Sequence, residues 1–145
     1  MSGDGDPSGI PGGAAGLVTG MDPATQTALE AGGLCEITTT GARRGQPHRI
    51  EIAFHHLDGE YLIAGKPGFR RDWLANLKAH PQFTLHLRNG SDVTGSATEI
   101  TDPAERDRIL FEIRTRSWRV DPAQARATHD RWVQTSPLVR FTAGT

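Results

Sequence analysis

Two stretches of this chain set glycine beside positive charge: Thr38-Thr39-Thr40-Gly41-Ala42-Arg43-Arg44-Gly45-Gln46-Pro47 and Gly65-Lys66-Pro67-Gly68-Phe69-Arg70-Arg71-Asp72-Trp73. Glycines let backbone N–H groups approach an anion closely, and arginines offer planar forks that match phosphate or carboxylate oxygens. Arg70 and Arg71 also stand just ahead of an expected helix, whose N-terminus favours negative charge. Each stretch alone reads equally well as a solvated turn, because turns are rich in glycine and polar residues. Having both, around a strand pair that could bring them together, points to a site for an anionic cofactor. The charge distribution agrees. Residues 1–40 hold no Lys or Arg, whereas residues 43–71 carry six basic side chains against three acidic ones. With a net charge of −1, that local excess suits a small anionic ligand and argues against a nucleic-acid partner.

Other chemistries find little support. His55 and His56 are neighbours in a strand pattern, so their side chains leave on opposite faces and cannot share a metal ion. No His-x-x-x-His or Cys-x-x-Cys spacing occurs, and no serine sits in a Gly-x-Ser-x-Gly elbow. No metal is therefore expected, and if the chain is an enzyme a cofactor carries the difficult step. The single cysteine, Cys35, excludes an internal disulfide, fits a reducing compartment and reads as a packed strand thiol between Leu34 and Ile37. No run approaches a membrane span, and the expectation is a soluble cytoplasmic protein.

These residues must be positioned by a chain of 145 residues, enough for one domain. Residues 1–20, with seven glycines and two prolines, read as a flexible tail ahead of a single domain over 21–145. Asp22-Pro23 caps a short helix that Gly32-Gly33 stops. Leu34 to Thr40 reads as a strand. So does Arg49 to His56, with Ile50, Ile52 and Phe54 on one face. Asp58-Gly59 is a hairpin signal before Tyr61 to Ala64, and Asn89-Gly90 is another, joining Phe83–Arg88 to Val93–Ile100. Between them Asp72 to Ala79 forms a helix with Trp73, Leu74 and Leu77 inward, ended by His80-Pro81. Asp102-Pro103-Ala104-Glu105 caps a helix with an Ile109, Leu110 and Ile113 stripe; Asp121-Pro122 opens another, with Ala125, Thr128 and Trp132 on one side. A last strand runs from Leu138 to Phe141. Tight connections imply antiparallel pairing, and five or six such strands suggest a small, partly open barrel.

The run Ile37 to Pro47, followed by a hairpin and then Trp73-Leu74-Ala75-Asn76-Leu77-Lys78-Ala79-His80-Pro81, resembles the deazaflavin-dependent nitroreductase family over roughly residues 33–100. The resemblance implies an α+β, mainly β, antiparallel split β-barrel with short flanking helices that uses coenzyme F420, related to the FMN-binding split barrels. It implies that the turn after Thr40 meets the cofactor's phosphate and acidic tail, with Arg43 at a position where lysine or arginine is typical. Ala42 departs from the pattern, and Arg44 can substitute; Gln46 and His48 complete the turn's candidate contacts. Ala64, Gly65, Lys66, Pro67 and Gly68 match the loop that lines the deazaflavin ring and phosphate, and Trp73 and Asn76 match helix positions. An inward Trp such as Trp73 is more often core, and Asn76 on an amphipathic helix more often a cap or solvent contact. The implied activity is hydride transfer from the reduced deazaflavin to an electron-poor acceptor such as a quinone, a nitro compound or an activated alkene. Tyr61 and His48 are candidates to steady charge on the acceptor, and Trp118 or Trp132 would wall its pocket or simply pack helices. An FMN oxidoreductase and a non-catalytic cofactor carrier remain alternatives, as do a monomer and a homodimer.

Overall fold

The computed structural model describes residues 22–68 and 71–144. The expected tail at 1–20, together with Phe69 and Arg70, lies outside them. Asp22 accepts the N–H of Thr25 at 2.7 Å and starts helix α1, Pro23–Ala31, which ends where Gly32 takes a φ of 66°. Strands β1, Gly33–Thr40, and β2, Pro47–Leu57, follow, then β3, Glu60–Ala64. The β2–β3 connection is the Asp58-Gly59 turn, with φ of 52° and 80°, the doubly positive pair that a tight hairpin requires. Helix α2, Asp72–Ala79, leads to β4, Gln82–His86, and β5, Asp92–Glu99.

The second hairpin is wider than its Asn89-Gly90 signal implies. Strand pairing stops at His86 and Asp92, and Leu87 N–H reaches Ser91 O at 2.8 Å across the connection. Helix α3, Pro103–Glu112, is capped by Asp102 and runs into a π-helical turn at Ile113–Ser117. The helix expected after Asp121 is broken at Thr128 into α4, Pro122–Ala127, and α5, His129–Thr135, and β6, Leu138–Ala143, follows.

The six strands close a fully antiparallel barrel in the order β1-β2-β3-β6-β5-β4, so the partly open form is corrected to a closed one. Period-two alternation sends Ile37, Phe54, Ile63, Leu85, Val139 and Phe141 inside, where α1 adds Leu29 and α2 adds Trp73 and Leu77. Each fully buried side chain of this size stabilises by roughly 1.5–3 kcal/mol. The outer faces of β3 and β6 meet a second apolar layer, Leu62, Ala64 and Leu138 against Ile109, Leu110 and Ile113 of α3 and the π turn. Covered on both sides, Leu62, Ile63 and Ala64 are buried in succession.

Candidate functional site

At one edge of the barrel the inward faces of β1 and β2 run out as Thr39 paired with His48, next to Ile37 with Ile50. The chain reverses between them in a turn where Gly41 N–H donates to Gln46 O at 2.7 Å and Gly45 N–H to Gly41 O at 3.0 Å. Gly41 has no room for a side chain, since a Cβ would lie 2.9 Å from His48 Nε2 and 3.2 Å from Gln46 O. Helix α2 holds this turn in place through Asn76, which is only 7% exposed. Its Oδ1 accepts the Ala42 N–H at 3.0 Å, and its Nδ2 donates to Thr39 Oγ1 at 3.0 Å. The reading of Asn76 as a cap or solvent contact is thereby corrected: both ends of its amide are used inside the protein.

Between turn and helix lies a cleft of about 640 Å³, lined by Arg43, Arg44, Gln46 and His48 on one side and Asp72, Trp73 and Asn76 on the other. Thr39 and Ile50 also line it. Its volume falls within the roughly 300–1,000 Å³ of small-molecule and cofactor pockets. Trp73, buried in the barrel core, offers the cleft an apolar wall, while the exposed guanidinium groups of Arg43 and Arg44 supply charge. The first turn of α2 borders the same space and carries the exposed Asp72 carboxylate there.

The second glycine-rich bend meets α2 differently. Gly65 N–H donates to Pro137 O at 3.1 Å, and Arg71, the N-cap of α2, donates from Nη2 to Lys66 O at 3.1 Å. None of residues 64–68 lines the cleft; the two bends share α2 but touch it at Asn76 and at Arg71. Ala64 belongs to the apolar layer beneath the C-terminal helices, and Thr40 yields its place at the cleft to Thr39. Pro67 is half-buried and Lys66 exposed. Arg70 lies outside the described residues.

Other candidates stand apart from the cleft. Tyr61 is stacked between His56, at 4.7 Å, and Phe141, at 5.5 Å, and burial pushes its hydroxyl pKa up. Trp118 and Trp132 pack on each other at 5.6 Å under the C-terminal helices, with Arg114 4.3 Å over the Trp132 ring. His55 faces this layer and meets Trp118 edge-on, opposite in direction to His56, as their adjacency requires. Cys35 is buried, and burial pushes its thiol up to about 11, which leaves it protonated and inert. No cluster of three metal-ligating side chains occurs among the described residues, and no described helix is long and apolar enough to cross a membrane.

Thr39, Ile50, Asp72 and Ala75 line the cleft without having been named as candidate contacts from the sequence. Alternation from Ile37 carries the signal for Thr39 and Ile50. Nothing local marks Arg131 of α5, whose guanidinium lies against Gly68.

A family model described as F420H(2)-dependent quinone reductase matches residues 18–133. The fold is similar to that of a conserved hypothetical protein from Mycobacterium tuberculosis, with a TM-score of 0.60 at 19% identity over 86% of this chain and 84% of that one. It is also similar to that of an F420 reductase, with a TM-score of 0.56 at 14% identity over 86% and 97% of the two chains. A putative pyridoxamine 5′-phosphate oxidase from Listeria innocua shares it too, with a TM-score of 0.55 at 13% identity over 83% and 90%. No curated protein sequence matches significantly.

Proposed function

The chain belongs to the F420H(2)-dependent quinone reductase family, and from that premise we propose that it reduces a quinone with reduced F420, holding the cofactor's anionic portion in the cleft between the β1–β2 turn and α2. The observation that carries this placement is the Asn76 clamp, which fixes the Arg43-Arg44 turn against the first turns of α2. The cleft fits such a group. It combines cofactor-sized volume, exposed cations on one wall and the buried aromatic face of Trp73 on the other.

When bound, the reduced deazaflavin supplies a hydride to a two-electron acceptor. The protein's part is to bind, orient and exclude water. Arg43 and Arg44 neutralise the anionic portion with charge-assisted bonds, each worth about 1.5–3 kcal/mol when well formed. Trp73 and Ile50 present apolar surface against which a flat ring packs. His48, whose Nε2 stands at the cleft beside Gly41, is the side chain placed to donate a hydrogen bond to a reacting oxygen. No side chain has to act as a nucleophile. Fixing the turn in advance avoids an ordering cost at the moment of binding, which is the value of using a buried amide for the clamp.

Difference spectroscopy with F420 and FMN side by side tests the reading. The protein should bind F420 at micromolar concentration or tighter, prefer it to FMN, and oxidise reduced F420 when menadione is added. A protein that purifies yellow with FMN, or that binds F420 without turning over menadione, would contradict it.

A further inference from the structure

We propose that Thr38, His86 and Asp92 form a second active site on the outer wall of the barrel, where the Thr38 hydroxyl is the nucleophile that cleaves a short-chain ester.

Thr38 Oγ1 and His86 Nε2 lie 2.7 Å apart, and His86 Nδ1 lies 2.9 Å from Asp92 Oδ1. The acceptor at one end fixes the direction of both bonds. Ionised Asp92 only accepts, so a neutral ring carries its proton on Nδ1 and presents a bare Nε2, to which the Thr38 hydroxyl donates. A hydroxyl, an imidazole and a carboxylate joined in that order through those two nitrogens are the parts of a hydrolytic relay. Such relays are recognised by geometry and roles rather than by sequence position.

Strand register puts the three together. The closed barrel makes β1, β4 and β5 consecutive, His86 stands opposite both Asp92 and Glu36, and Thr38 is two residues along from Glu36 on the same outward face. Paired strands hold such geometry more closely than loops do. The His86 side chain is 13% exposed, so packing as well as hydrogen bonding holds the ring. None of the three residues lines the cofactor cleft, which takes the inward neighbour Thr39 instead.

A hollow of about 280 Å³ adjoins the relay, with Glu36, Arg49, Glu51, His86 and Arg88 among its walls. That volume lies at the small end of ligand pockets, and charged walls suit a short acyl group rather than a fatty chain. Arg49 stands opposite Thr38 on β2. Its Nε is paired with Glu36, while its Nη groups bond to no described residue. They are the donors for the negative charge that grows on the ester carbonyl oxygen.

In the first step Thr38 Oγ1 attacks the carbonyl carbon, its proton passes to His86 Nε2, and the alcohol departs with that proton as the ester C–O bond breaks. Water then attacks the acyl-threonine and gives a proton to His86 Nε2, which returns it to Thr38 Oγ1 as the carboxylic acid leaves. Asp92 keeps the ring oriented and offsets its positive charge while it holds the proton. Water is the only co-reactant.

The test uses the full chain with p-nitrophenyl acetate and, separately, with a fluorophosphonate probe whose attachment point is read by mass spectrometry. The wild type should hydrolyse the ester and take the probe at Thr38. Thr38→Val should abolish labelling and lower kcat/KM for the ester by about 100-fold or more, and His86→Gln should do the same. Asp92→Asn should slow both reactions. Thr38→Ser keeps the hydroxyl and its hydrogen bond and should retain both, which holds even where Thr38→Val is less stable. Oxidation of reduced F420 by menadione should be unchanged in Thr38→Ser and Asp92→Asn, since neither residue borders the cleft. A folded wild type that takes no probe, or takes it at another residue, would overturn the proposal. So would ester hydrolysis that needs His86 yet survives Thr38→Val, because the imidazole would then be acting alone.

Discussion

Asn76 holds Ala42 across the cleft: the side-chain carbonyl of a buried helical residue accepts the backbone N–H of an exposed turn residue at 3.0 Å. The other half of the amide donates to Thr39 on β1, so one side chain joins helix, strand and turn. Asn76→Ala removes both bonds and leaves the buried Thr39 hydroxyl without this partner, which should cost about 2 kcal/mol of stability. Asn76→Asp keeps an acceptor for Ala42 and loses the donor to Thr39, so it should retain more of the turn's order. Chemical denaturation of both variants checks the order of stability, with Ala lowest, Asp between and wild type highest, and F420 affinity measured alongside should fall in both, since Asp also sets a carboxylate in the anion-binding cleft.

Inside the barrel, Gly95 of β5 gives its side-chain space to Phe83 of β4, its paired neighbour. A Cβ at 95 would lie 2.7 Å from two carbons of the Phe83 ring. Gly95→Ala should therefore destabilise the fold by roughly 1–3 kcal/mol, the range typical of overpacking a filled core. Shortening the opposing ring in Gly95→Ala/Phe83→Leu should recover part of that loss. Thermal melts of the single and double variants measure the coupling, and strictly additive losses would show that the two sites do not compete for space.

His55 gives the fold a pH dependence. It is buried against Trp118, its Nε2 has no hydrogen-bond partner, and burial pulls its pKa from 6.5 to about 4. The folded value lies below the unfolded one, so the unfolded chain takes up the proton first as pH falls. This group's contribution should be constant above pH 6.5 and decline between 6.5 and about 4. The full decline is on the order of 3 kcal/mol. Urea denaturation of wild type and His55→Phe at pH 7, 5.5 and 4.5 isolates it: the stability difference between them should shift toward the variant as the solution is acidified. A difference that stays constant with pH would show that His55 is not held neutral.

Local rules carried much of the architecture. Asp22, Asp102 and Asp121 cap helices followed at once by proline, Asp58-Gly59 makes its turn, and the Ile50, Ile52 and Phe54 alternation faces the core. What escaped depends on residues far apart in sequence. Asn76 looks like a polar interruption on an amphipathic helix until Thr39 and Ala42 come within reach. The break between α4 and α5 falls at Thr128, beside Arg114, which donates to the Ala125 carbonyl and to Thr128 Oγ1. Two cationic bends were readable, since charge and glycine are local properties, and the first of them lines the cleft. That they meet α2 at different residues, with only the first lining the cleft, follows from packing that no local pattern encodes.

The central claim is that the Arg43-Arg44 turn grips the anionic portion of F420, and it is tested most directly by equilibrium binding of F420 to wild type and to Arg43→Ala/Arg44→Ala. Both side chains are exposed, so the thermal transition of the double variant should stay close to that of the wild type. Its affinity should fall by about 100-fold or more, the loss expected for two charge-assisted contacts. Undiminished affinity in a folded double variant would contradict the account.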